Sequence, residues 1–259
     1  AISHAISTAE KELGFPLFNR NKNGVTLTSY GENLQPYILT VLNSDAKLQQ
    51  AILEFNGLTH GSVKIGTFSS ACNNFIPDIV TTFSKLHPNI EIKIYQGTYD
   101  DVYNWIKTGV VDLGFLSESS CKDLPITALY EDDLLCIVPK HFKTKHKNYI
   151  ELTELDGQNF VSQSESTDAD IQKLFQKYPL TIHSSCHVVD DLSTIAMVAA
   201  GLGVCIMPRL VMQNIPYEVD MYPLKPAEQR IIGICSLNPD LMAPAVKSMY
   251  KHILKYFQK

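Results

Sequence analysis

No apolar run in the 259 residues is long enough to cross a bilayer. The longest, IAMVAAGLGVCIM from Ile195, is broken by glycines and stops short of the roughly 20 residues a spanning helix needs. Paired cysteines are missing too. Cys72, Cys121, Cys136, Cys186, Cys205 and Cys235 are scattered, with no C-x-x-C and no clustered spacing, which excludes a disulfide-stapled module or a zinc site. Cys136, Cys205 and Cys235 lie in the apolar runs LLCIV, GVCIM and IIGICS and read as small core hydrophobes. There is no G-x-S-x-G, no H-E-x-x-H and no P-loop, and AGLGVC follows a helix and precedes a strand, the reverse of the nucleotide-binding order. The acidic stretches Glu131-Asp132-Asp133 and Asp190-Asp191 adjoin element ends, where solvated acids and helix capping are the ordinary use. Catalysis, a cofactor and a bound metal are therefore not expected. Positive charge is not in excess either: the net charge is -5, so any nucleic-acid contact has to come from a local basic feature. No basic and apolar leader opens the chain, so a cytoplasmic location is expected with no membrane partner, and the non-methionine start suggests that an N-terminal piece is absent.

What is present is a globular composition, 45% hydrophobic, long enough to bury a substantial core and to form more than one domain. AISHAISTAEKELG spaces Ile2, Ala5, Ile6, Ala9 and Leu13 for one face of a helix, sets Ser3, His4, Ser7 and Lys11 on another, and stops at Gly14. In FPLFNRNKNGVTLT, Asn23-Gly24 is a turn between a basic arm and an alternating strand, a small hairpin or wing. A helix of unusual length runs from Ser29 to Asn56, with Leu34, Ile38, Leu42, Leu48, Ile52 and Phe55 as its apolar side chains, and Gly57 and Gly61 bracket a hinge. Beyond it strands and helices alternate. SVKIG, a helix over 74–86, IEIKIY, a helix over 99–108 and VDLGFL make a βαβαβ unit, followed by LLCIVP. NFVSQ, a helix over 168–177, TIHSSCHVV, a helix over 192–200 and GVCIMP make a second cycle, and RIIGICS with a helix over 244–256 returns to the first. Two small α/β lobes joined by two crossovers result.

The chain resembles the LysR-type bacterial transcriptional regulators over essentially its whole length. Three stretches carry the resemblance: ISHAISTAEKELGFPLFNRNKNGVTLTSYGE, with its E-x-x-L-G-x-x-L-F-x-R and L-T-x-x-G; SVKIG through FIPDIVTTFSKLHPNIEIKIYQG to VVDLGFL; and LSTIAMVAAGLGVCIMPRL. The implied architecture is a partial winged helix-turn-helix (1–28), a dimerising linker helix with its hinge (29–60) and a two-lobed, periplasmic-binding-protein-like α/β sensor (61–259). Lobe one is expected at about 61–138 and 230–259, lobe two at about 139–229. The family's motif starts about 30 residues earlier, so its first helices are not in this sequence and DNA binding is expected of the intact protein alone. The implied partners are double-stranded DNA, a small-molecule effector, further copies of the chain as dimer or tetramer, and RNA polymerase on activation. The rival reading is a solute-binding protein of a transport system, which shares the two-lobed fold but should carry an export leader and no wing.

By the resemblance, Ser3, His4 and Ser7 face the major groove, while Arg20, Lys22 and Thr28 lie near the phosphates; the alternative is a solvated helix face beside a charged loop. The charges of this segment, Lys11, Arg20 and Lys22 against Glu10 and Glu12, balance to +1, so affinity requires a dimer. Pairing of the long helix with a second copy would supply it; docking onto its own sensor is the alternative. Between lobes, ligands settle at the carboxyl ends of strands and at helix N-termini. That rule and the resemblance point to Thr67, Ser69, Ser70 and Cys72 after SVKIG, Leu116 and Ser117 after VDLGFL, Ser162 and Ser164 after NFVSQ, and Met207 and Pro208 at GVCIMP. The alternative for the serines is helix capping. Apart from Arg209, these loops hold no basic residue, so either ligand charge meets backbone and hydroxyl donors or the effector is weakly charged. Cys72, beside an expected helix N-terminus, could form a thiolate and sense oxidants or electrophiles.

Overall fold

A computed structural model of the chain describes residues 2–21, 24–55, 61–164, 166 and 169–258. Lys22 and Asn23, the hinge glycine Gly57 and Asp168 lie outside them. Helix α1 (Ile2–Leu13) ends where Gly14 takes a left-handed φ of 80° and returns its amide to the Glu10 carbonyl. The Glu10 carboxylate accepts from the amides of Leu17 (2.8 Å) and Phe18 (3.1 Å), tying the helix to the hairpin of β1 (Phe18–Asn21) and β2 (Gly24–Leu27). Asn21 faces Gly24 across the turn. Helix α2 (Ser29–Phe55) is capped by Thr28, whose hydroxyl accepts from the Gly31 amide at 3.0 Å. Its Tyr37, Ile38, Val41, Leu42, Leu48 and Ile52 are exposed, while Asn43 reaches the sensor and donates to the Thr108 carbonyl.

Lobe one is built from β3 (Gly61–Thr67), α3 (Ser69–Asn74), α4 (Ile76–Leu86), β4 (Ile90–Gln96), α5 (Tyr99–Lys107) and β5 (Leu113–Ser117). The chain then runs into one long strand, β6 (Ile126–Pro139), and lobe two follows: β7 (Ile150–Glu151), β8 (Asn159–Gln163), α6 (Ala169–Lys177), β9 (His183–Val188), α7 (Asp191–Ala199), β10 (Cys205–Pro208) and β11 (Val219–Lys225). Strand β12 (Gln229–Cys235) and helix α8 (Pro244–Phe257) return to lobe one. The strand order is β4-β3-β5-β12-β6-β11-β7, with β10 also on β6 and β8 parallel to β9.

The first half of β6 pairs with β12 as far as Asp133; from Leu134 onward it pairs with β10 and β11. The boundary expected at 138 falls at the strand's end, whereas the change of partner comes inside it. The reason lies in burial. Leu134, Cys136 and Val138 pack into one core and Leu135 and Ile137 into another, so this half is covered on both faces and reads as an apolar run. The half Ile126–Asp133 is partly exposed and polar, and sequence periodicity does not mark it as a strand. Strands β7 and β11 also escape sequence reading, and the expected loop after β3 is helical: α3 covers Ser69–Asn74 before α4 begins.

Candidate functional site

Two features stand out, the surface of α1 with its hairpin and the seam between the lobes. On α1, Ser3, His4 and Ser7 are all exposed, and no described residue of the helix is buried. Arg20 on β1 donates to the Ser3 hydroxyl at 3.1 Å, which sets a guanidinium beside the polar edge. Lys22 lies outside the described residues. Thr28 corrects the sequence reading, for it is 9% exposed and its hydroxyl is spent on the Gly31 amide and the Pro16 carbonyl (2.8 Å), inside the joint rather than toward a phosphate.

The seam holds a buried arginine that no sequence signal marked. Arg230, at the start of β12, faces Asp132 of β6 directly across the ladder, and its Nε and an Nη donate to the Asp132 carboxylate at 3.0 and 2.7 Å. Its other contacts are the Tyr99 hydroxyl (2.8 Å), the Ser70 hydroxyl (2.9 Å) and the Phe68 ring, 5.2 Å away. Arg230 is 5% exposed and Asp132 1%, so of the acidic stretch read as solvated Asp132 is instead half of a buried ion pair, while Glu131 stays exposed. Burial pushes the Asp132 carboxyl up, against the pull of the guanidinium and of the Leu210 amide at 2.9 Å.

Asp170 of α6 reaches across from lobe two. One of its oxygens accepts from the Tyr99 hydroxyl at 3.0 Å and the other from the Ser117 and Ser119 hydroxyls. The Tyr99 phenol, its pKa raised chiefly by burial, stays protonated, accepting from Arg230 while donating to Asp170. The Ser166 carbonyl also meets lobe one, accepting from the Tyr99 amide at the start of α5 (3.2 Å). Asp191, first residue of α7, accepts from Gln163 at 2.9 Å and is raised in pKa by burial. Its neighbour Asp190 caps α7 through the Ser193 amide, as such residues are expected to.

A cavity of about 50 Å³ opens here, lined by Ser69, Ser70, Thr98, Tyr99, Gln163, Asp170, Asp191, Pro208 and Arg230 among others. Of the residues expected from sequence, it gathers Ser69, Ser70 and Pro208, with Ser117 behind Asp170. Thr67, Leu116 and Met207 are buried in the cores. Ser162 and Ser164 are not part of the lining, and the residue between them, Gln163, takes their place. Parity explains these misses: successive strand residues face opposite sides, so naming the end of a strand leaves the face undecided. Cys72 lies within α3, off the cavity, and burial raises its pKa, which corrects the expected thiolate. Thr98 was findable. It follows β4 and caps α5 in a reciprocal box with Asp101, the same strand-to-helix geometry that marked the loop after β3. Arg230 adds a buried guanidinium to this cavity from β12, outside the loops in which sequence reading looked for charge.

Comparison with known proteins places this geometry. The profile of the LysR substrate binding domain matches residues 56–258, and that of the bacterial regulatory helix-turn-helix protein, lysR family, matches residues 1–32. An uncharacterized HTH-type transcriptional regulator of Bacillus subtilis, YvbU, is 28% identical over 83% of this chain and 74% of its own length. The dual regulator GltC of the same organism is 24% identical over 100% of this chain and 88% of its own. Among solved structures, a full-length variant of OxyR from Pseudomonas aeruginosa superposes with a TM-score of 0.71 at 21% identity, covering 97% of this chain and 84% of that one. These matches leave the transport-protein reading without support, and no described helix is long and apolar enough to cross a membrane. The chain belongs to the LysR family of transcriptional regulators.

Proposed function

We propose that the chain regulates transcription without catalysing a reaction, by coupling a small effector held between its lobes to the angle of paired DNA-reading heads. The observation that carries this reading is the polar cluster of Arg230, Asp132, Tyr99 and Asp170, buried where the two lobes meet. Buried charge is costly even when paired and tends to gather at functional sites, and here it sits where residues 61–138 with 230–259 face residues 139–229. Effector occupancy would change how the lobes close and how subunits pack. The exposed edge of Ser3, His4 and Ser7, with Arg20 beside it, suits a major groove, and the exposed apolar face of α2 suits a second copy of the chain. RNA polymerase would be met on activation.

The test is thermal: a metabolite panel should include a compound that raises the melting temperature of the wild-type chain and loses that effect in Gln163→Ala. In the full-length protein, His4→Ala with Ser7→Ala should abolish specific binding to the DNA upstream of its gene. Unchanged melting across the panel and unchanged DNA binding would defeat the reading.

A further inference from the structure

Asp170 belongs to lobe two, yet its carboxylate is held by hydroxyls of lobe one. Tyr99 serves one oxygen at 3.0 Å and Ser117 and Ser119 serve the other. Arg230 stands behind this set, donating to the Tyr99 oxygen at 2.8 Å and so polarising the hydroxyl toward the carboxylate. Three hydroxyl donors with a guanidinium behind them form a carboxylate-recognition site of ordinary chemistry.

Asp170 and Arg230 also form a partition. Both line the 50 Å³ cavity on one side of the seam and a second cavity of about 230 Å³ on the other, where Lys173 and Lys177 are found. Neither space by itself reaches the roughly 300 Å³ at which small-molecule pockets begin, and Asp170 lines both, so moving it would join the two. Charge favours the same movement. The smaller cavity sets Asp170 and Asp191, with Asp132 behind, against Arg230 alone, so an anion entering it with Asp170 in place would meet like charge. Once released, Asp170 has somewhere to go: Lys173 follows it by three positions, on the same side of α6, and lines the larger cavity.

We propose that the hydroxyls of Tyr99, Ser117 and Ser119, backed by Arg230, are the effector's carboxylate subsite, and that Asp170 fills it until an effector carboxylate takes its place. This rests on the reading that the seam holds the effector, and it adds the ligand's class and the step that admits it. The exchange makes and breaks hydrogen bonds only.

The experiment is rescue by a small carboxylate in the full chain. Asp170→Ala should lower the melting temperature, and acetate at millimolar concentration should raise it again, while acetamide and chloride at matched ionic strength leave it unmoved. Wild type should show no acetate effect beyond that of chloride, and Asp170→Ala with Ser117→Ala should lose the rescue. Should Asp170→Ala not fold, Asp170→Asn keeps the shape with a weaker occupant. Calorimetry should then find acetate bound to it about tenfold or more tightly than to wild type, about 1.4 kcal/mol. Acetate that acts on wild type and variants alike, or on none, overturns the subsite. If a panel metabolite stabilises wild type while acetate rescues neither variant, the subsite falls and the effector seam stands. If acetate rescues and no metabolite stabilises wild type, the effector reading falls instead.

Discussion

Arg230 and Asp132 are individually expensive to bury and mutually compensating. Arg230→Ala leaves an unpaired carboxylate in the seam and should cost about 3–5 kcal/mol in urea unfolding, whereas Arg230→Met with Asp132→Leu should recover much of that loss. Asp191 offers a test by pH. Its folded pKa is raised by burial, so its ionised form weakens the fold at neutral pH, a penalty that fades as pH falls and the carboxyl protonates. Asp191→Asn, which keeps an acceptor for Gln163, should therefore be more stable than wild type at pH 7, and the difference should disappear toward about pH 3; a gain that persists in acid would refute the assignment. Little of this was legible in the sequence. Arg230 and Asp132 are 98 positions apart, Arg230 beside Gln229 at the start of β12 and Asp132 between Glu131 and Asp133 inside β6, so nothing local separates a buried pair from a solvated edge. The serines after β3 were legible because a parallel strand feeding a helix N-terminus is itself a local pattern.

At the scale of elements, local signals decided what could be read. Helix α1, its glycine stop and the hairpin carry their own instructions: 3.6-residue spacing, a left-handed Gly14 and a two-strand alternation. The polar half of β6 and all of β11 take their conformation from neighbours far along the chain, and the hydrophobic pattern there is too weak to announce them. Helix α5 shows how tightly the finished elements fit. A Cβ on Gly114 of β5 would run into the Ile106 side chain and stand 2.9 Å from that of Val102, so Gly114→Ala should destabilise by about 1–3 kcal/mol through overpacking. Thr98→Ala, which removes the hydroxyl half of the α5 capping box, should cost about 1 kcal/mol in the same measurement.

The whole molecule has two surfaces that ask for partners, and both were visible in sequence as amphipathic patterns. The stripe Ile38, Leu42, Leu48 and Ile52 of α2 is exposed, so Leu42→Glu should shift the chain toward monomer in light scattering while keeping the circular dichroism of the native fold. With a net charge of -5, DNA affinity has to come from paired heads, and the same substitution in the full-length protein should weaken operator binding far more than its own lost contact would explain. The two lobes, by contrast, are held by strands they share. Because β6 runs through both lobes and changes partner at Asp133, next to the Asp132–Arg230 pin, neither lobe can slide past the other without tearing a ladder. What the arrangement does permit is torsion about an axle made of β6 and the β11-to-β12 return. An occupant pressing on the rim would thus be felt at the far end as a turn of the lobe, with its lever arm set by the width of the sheet.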